Sequence, residues 1–140
     1  MIENYIDLKL TYKNYLIILK TGVFYISINE DAFILNKLFN YKIKEFNNYK
    51  RVGFPINSLN KILKRLDKLN INYIVYDDNK IISKVSFTNN CINKYKTDIN
   101  TYKSYLRRIK NINNILVDRV NSNNLKDILS TIENILCTII

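Results

Sequence analysis

The sequence has no histidine and no tryptophan, and only two glycines, two cysteines and one proline among its 140 residues. Each shortage removes a class of chemistry. Without histidine the commonest general base and the commonest zinc ligand are both missing. With Gly22 and Gly53 as the only glycines, neither a P-loop nor a G-x-G-x-x-G nucleotide cradle can be built. Cys91 and Cys137 are too few for a disulfide framework, and with no histidine partner neither reads as a nucleophile. No uncharged run approaches the roughly 18 residues that a membrane-spanning helix needs. Met1-Ile2-Glu3-Asn4 lacks the basic-then-apolar pattern of a signal peptide, so the expected location is cytoplasmic. These exclusions lead us to expect a protein that is not an enzyme, with no cofactor and no metal site.

Isoleucine, asparagine and lysine are abundant, and 47% of the residues are hydrophobic. That content supports a packed core, and the length suits one domain's worth of chain. The formal net charge of +10 favours an anionic partner. The push is modest, because lysine outnumbers arginine 17 to 5. Arginine is the residue that grips phosphate in a bidentate fork, and the A/T-rich codons of Ile, Asn and Lys suggest that composition bias supplies part of the lysine.

Along the chain, residues 2–13 carry helical spacing in Ile2, Tyr5, Ile6, Leu8 and Tyr12. Two strand-like runs, 15–20 and 23–28, flank Thr21-Gly22 and predict a hairpin. Asn29 is placed to cap a helix over 30–39, with Glu30 and Asp31 in its first turn. Strands are expected at 41–46 and 51–54, the second stopped by Pro55. Leu59, Ile62, Leu63, Leu66 and Leu69 make a full apolar stripe on a helix over 58–69, with Asn70 as its C-terminal cap. A strand pair over 71–76 and 80–87 turns at Asp77-Asp78-Asn79. The fold class predicted is α/β (α+β), a mixed sheet of about six strands packed with helices.

From 88 to 97 the sequence is polar and irregular, and the remainder is helical. Tyr102, Leu106, Ile109, Ile112 and Leu116 form one stripe. Leu125, Ile128, Leu129, Ile132, Ile135 and Leu136 form another, and Asn121-Ser122-Asn123-Asn124 separates them. This predicts a C-terminal helical hairpin. The division expected is a sheet-bearing core over 1–88 and a helical extension over 89–140.

The order and spacing of several segments resemble the N-terminal domain of the MutS mismatch-repair family. Asn4-Tyr-Ile-Asp-Leu-Lys9 is similar to its opening helix, and Leu19-Lys-Thr-Gly-Val-Phe-Tyr-Ile26 to its glycine-containing hairpin. Glu30-Asp-Ala32 resembles the start of the next helix. Arg51-Val-Gly-Phe-Pro55 resembles its Gly-x-Pro turn, and Asn72-Tyr-Ile-Val-Tyr76 the strand beyond. In that family the domain holds kinked duplex DNA, and a Phe-x-Glu motif enters the minor groove. The phenylalanine stacks on the mispaired base and the glutamate hydrogen-bonds to it. The resemblance assigns the stacking place to Phe24 and the glutamate's place to Ile26, which can make no such bond. A Lys-Arg pair common in the family aligns with Glu45 and Phe46. The family's connecting, clamping and ATP-hydrolysing domains have no room in 140 residues. The resemblance therefore implies a detached module, not a repair enzyme.

Two basic clusters complete the candidate surface. Lys42, Lys44, Lys50 and Arg51 flank one hairpin with Tyr41 and Tyr49 between them, the composition of a backbone-tracking, base-stacking surface. Lys103, Arg107, Arg108 and Lys110 lie on the first helix of the extension, where adjacent arginines suit phosphate. Lys61, Lys64, Arg65 and Lys68 add a basic helix face. Ordinary solvated charge explains each cluster equally simply, and burial explains Phe24 equally simply. Two readings stay open. One is a non-catalytic DNA-binding accessory module that contacts duplex or distorted DNA mainly through phosphate. The other is a protein-interaction module that kept the fold, with a protein partner or homodimer formed through the C-terminal helices, whose terminus Ile135–Ile140 is unusually apolar.

Overall fold

The computed structural model of the chain describes residues 1–96 and 99–139. Its first compact unit runs from Met1 to Thr97 and its second from Asp98 to Ile140. Six strands form one mixed sheet in the order β3-β4-β2-β1-β5-β6. They are β1 (Leu16–Thr21), β2 (Phe24–Ile28), β3 (Lys44–Phe46), β4 (Tyr49–Pro55), β5 (Tyr73–Asp77) and β6 (Lys80–Val85). Only β1 and β5 run parallel, and every other neighbouring pair is antiparallel.

Alternation along the strands sends side chains to two apolar layers. Leu16, Ile18, Tyr25, Val52, Phe54, Tyr73 and Val75 pack on one side with α2 (Glu30–Phe39) and α3 (Leu59–Lys68). Ile17, Leu19, Ile26, Ile28 and Ile74 pack on the other side with Tyr5 of α1 (Ile2–Thr11). Because both faces of β1 are covered, Leu16–Leu19 is a continuous apolar run, as expected of a central strand.

The helix ends rest on asparagine. Asn70 adopts φ +54°. Its N–H donates to the Asp67 carbonyl at 3.1 Å, and the Ile71 N–H to the Leu66 carbonyl at 3.0 Å. That double closure is a Schellman motif, and asparagine tolerates its left-handed position. Asn29 behaves differently from the cap expected of it. It has φ +50° and makes no side-chain bond to the helix. Its Oδ1 accepts the Lys50 N–H at 3.1 Å, fastening the start of α2 to β4.

The segment after β6 belongs to the first unit, which reaches past the boundary expected at 88. Asn90 explains why: its Oδ1 accepts the Asn72 N–H and its amide donates to the Asn14 carbonyl. Behind it Ile92 enters the core, 1% exposed. A polar, irregular stretch is therefore anchored by the Asn90 side chain and one isoleucine, which periodicity does not register.

The second unit contains α4 (Ile99–Asp118) and α5 (Leu125–Ile139). Leu125 is its one buried residue among those described. No helix among the described residues is long and apolar enough to cross a membrane.

Candidate nucleic-acid interface

The β1-β2 hairpin turns on Gly22 and Val23, one residue later than expected, with Thr21 registered opposite Phe24. Gly22 has φ +59° and Val23 does not share the positive φ, the signature of a type II′ turn. The tight turn lifts Phe24 to the rim of the sheet, where it is 48% exposed. Beside it stand Val23, 70% exposed, and Pro55, registered opposite Phe24 on β4. The Ile56 N–H donates to the Val23 carbonyl and ties the end of β4 to the turn. The tip is thus a small apolar wedge held by backbone pairing on both sides.

Two residues along, Ile26 faces the same side of the sheet and is 3% exposed. It lies between Leu19 and Gly53 in register. A side chain sealed there cannot touch a ligand, so the place that the resemblance gives to a base-reading glutamate has become core. Gly53 itself is exposed and leaves the backbone open between Phe24 and Arg51. A Cβ added there would meet Ile26 Cγ2 at 3.5 Å, an ordinary contact.

Arg51 is registered opposite both Ile28 of β2 and Lys44 of β3, so Arg51 and Lys44 share the face of Phe24. Arg51 lies four residue steps along the strand direction from Phe24, roughly 13 Å at strand rise. The Arg51 guanidinium lies 4.5 Å from the centre of the Phe46 ring, which stacks on Tyr49 at 4.9 Å. Phe46, one of the two positions aligned with the family's cations, therefore orients a cation instead of being one. The other, Glu45, pairs with Lys50 at 3.6 Å.

The expected basic cluster is divided by the strand pleat. Lys50 points to the opposite side of the sheet, towards Glu45 and the Phe33 ring. Lys42 precedes β3 and is exposed between Tyr41 and Ile43, which pack against the core. In the second unit Lys103, Arg107, Arg108 and Lys110 are all exposed. Spacing of four and three puts Lys103, Arg107 and Lys110 on one face of α4, with Arg108 turned away.

One polar centre was not anticipated as such. Asp31, expected only as a dipole-matched helix-start carboxylate, is fully buried. Lys9 Nζ donates to Asp31 Oδ1 at 2.8 Å and to the Tyr15 carbonyl at 2.7 Å, while the Ile17 N–H donates to Asp31 Oδ2. Burial pushes the Asp31 carboxyl up to about 6 against the opposing pull of Lys9. Burial, with Asp31 and Glu30 nearby, also raises the Tyr5 hydroxyl. The group docks α1 onto β1 and α2, and so fixes the layer beneath the hairpin. Its one sequence signal was a lysine on the otherwise core-facing side of α1.

The mixed sheet thus raises an apolar wedge at its rim and carries Arg51, Lys44 and the stacked Phe46 and Tyr49 on the same side. The family model described as MutS domain I matches residues 1–97. The chain belongs to that family, and its mixed sheet and helices are those of a domain related to DNA mismatch recognition. The comparison with curated proteins found no match.

Proposed function

We propose that this chain is a non-catalytic DNA-binding module that holds duplex or distorted DNA chiefly by its phosphates, with Phe24 as an unstacking wedge. The observation that carries this reading is the pairing of an exposed Phe24 at the hairpin tip with Arg51 and Lys44 on one sheet face. Minor-groove proteins insert such apolar side chains between base steps, and backbone cations set the affinity. Membership of the MutS domain I family supports it. With Ile26 buried, the reading gives Phe24 shape and stacking selectivity without hydrogen-bonded base readout.

The test is fluorescence anisotropy with matched, mismatched and single-stranded DNA at low and high salt. Stacking is worth about 1–3 kcal/mol per base. Phe24→Ala is therefore expected to weaken binding to distorted duplex about tenfold, and binding to matched duplex much less. Arg51→Gln is expected to weaken both equally and to flatten the salt dependence. A Phe24 variant that keeps the intact chain's affinity for distorted duplex would remove the wedge. No binding by the intact chain at low salt would remove the DNA reading.

A second reading, a protein-interaction module that self-associates, has its own observation. Ile109, Ile112, Ile135 and Leu136 are each more than half exposed on helices whose apolar stripes have helical spacing.

A further inference from the structure

On the side of the sheet away from Phe24, α2 and α3 border a groove of about 830 Å³. Lys37 reaches it from the last turn of α2, and Lys61, Lys64, Arg65 and Lys68 from α3. Spacing of three, one and three puts the four α3 cations on one helical face. Their direction is fixed because Ile62 and Leu66, on the opposite face, are fully buried.

No described carboxylate neutralises this group. Among the described residues, Lys9, Lys20 and Lys50 have carboxylate partners, and none of the five groove cations does. Asp67 is the one carboxylate on α3. Burial and the charge of Asp67 push the neighbouring Tyr73 hydroxyl up to about 12. Five cations lining one groove, with no carboxylate partner among the described residues, repel one another and concentrate counterions, which a polyanion releases on binding.

We propose that this groove is a second phosphate-backbone site, so that one copy of the domain holds two nucleic-acid segments on opposite sides of its sheet. From Lys61 to Lys68 is about 10 Å at helical rise, the axial extent of about three phosphates on one strand of a duplex. The chemistry favours nucleic acid over an acidic protein. Protein interfaces are depleted in lysine and centre on exposed apolar anchors, whereas nucleic-acid interfaces are strongly cationic. The groove's apolar residues, Leu38 and Phe39, are partly buried against the core and are not exposed anchors. The sheet and its helical layer stand between the groove and Phe24, so a single straight duplex cannot occupy both.

The inference extends the DNA reading, and its test separates the two. The full chain is mixed with donor-labelled and acceptor-labelled duplexes, and energy transfer between them reports bridging while anisotropy reports binding to one duplex. The probe variant is the quadruple Lys61→Gln, Lys64→Gln, Arg65→Gln, Lys68→Gln, whose fold is checked by thermal melting. The intact chain is expected to bridge at low salt. The quadruple variant is expected to lose bridging at least tenfold while keeping Phe24-dependent binding to one duplex within about twofold. The salt slope of the bridging step is expected to fall by about 0.9 for each phosphate contact removed. No bridging by a chain that binds one duplex would overturn the inference and leave the DNA reading standing. Bridging that survives the quadruple substitution would overturn it too, since two copies held together would then supply the second site. Displacement of duplex from the groove by a polyglutamate peptide of lower charge would also overturn it, in favour of an acidic protein.

Discussion

At the scale of single residues, burial changes the meaning of a charge. Asp31 occupies a helix-start position where a carboxylate is ordinary. Only the fold reveals that α1 closes over it and delivers Lys9 at 2.8 Å. Its carboxyl is pushed up to about 6 because burial outweighs the attraction of Lys9. In the unfolded chain an aspartate titrates near 3.9. Between pH about 4 and about 6, therefore, the folded protein keeps a proton that the unfolded protein has lost. Asp31 accordingly makes stability fall as pH rises through that window and adds no further slope above it. Urea denaturation at pH 4, 5, 6 and 7 is expected to show this decline as a difference of about 1–3 kcal/mol between the intact chain and Asp31→Asn. The asparagine side-chain oxygen can still accept the Ile17 N–H. Parallel stability curves for the two proteins would place the titration elsewhere.

At the scale of elements, legibility followed covalent periodicity. The stripe of α3 and the apolar run of β1 announced themselves because 3.6-residue and buried-strand patterns are written directly in side-chain type. The register of β3 against β4 was not written so plainly. The run 41–46 looked like one strand, yet only Lys44–Phe46 pairs. Tyr41 stacks on Phe54 and Ile43 packs against the core, and both are drawn out of the ladder. That local choice decides which lysines share a face with Phe24, so the candidate site was legible as a composition but not as a surface. The α3 element also carries a definite energetic expectation. Ile62 is fully buried, and deleting its side chain beyond Cβ should cost about 2–5 kcal/mol. Asn70→Ala should cost about 1 kcal/mol through its left-handed backbone, with Asn70→Gly close to neutral. Chemical denaturation of the three variants gives both comparisons. A costly Asn70→Gly would mean that the asparagine side chain, and not its backbone, holds the turn.

At the scale of the whole molecule, the two compact units stand in different energetic positions. Both apolar layers around the sheet are built from residues of the first unit, from Ile2 to Tyr95. A chain of residues 1–97 is accordingly expected to fold cooperatively by itself. The second unit buries Leu125 and little else among its described residues. Yet its pattern is not that of a solvated tail. Tyr105, Ile109, Ile112 and Leu116 on α4, and Leu125, Ile128, Ile132 and Ile135 on α5, alternate spacings of three and four. Leu106, Leu129 and Leu136 widen those seams. Such a face suits a helical bundle, and two helices alone cannot enclose it, whereas four supplied by two copies can. The self-association reading therefore predicts a dimer for the full chain and a monomer for residues 1–97 in sedimentation velocity at micromolar concentration. Ile109→Glu with Ile135→Glu should return the full chain to monomer without altering the melting of the first unit, because neither residue is buried there. A full chain that sediments as a monomer would refute the dimer and leave these seams for the helices of a different protein.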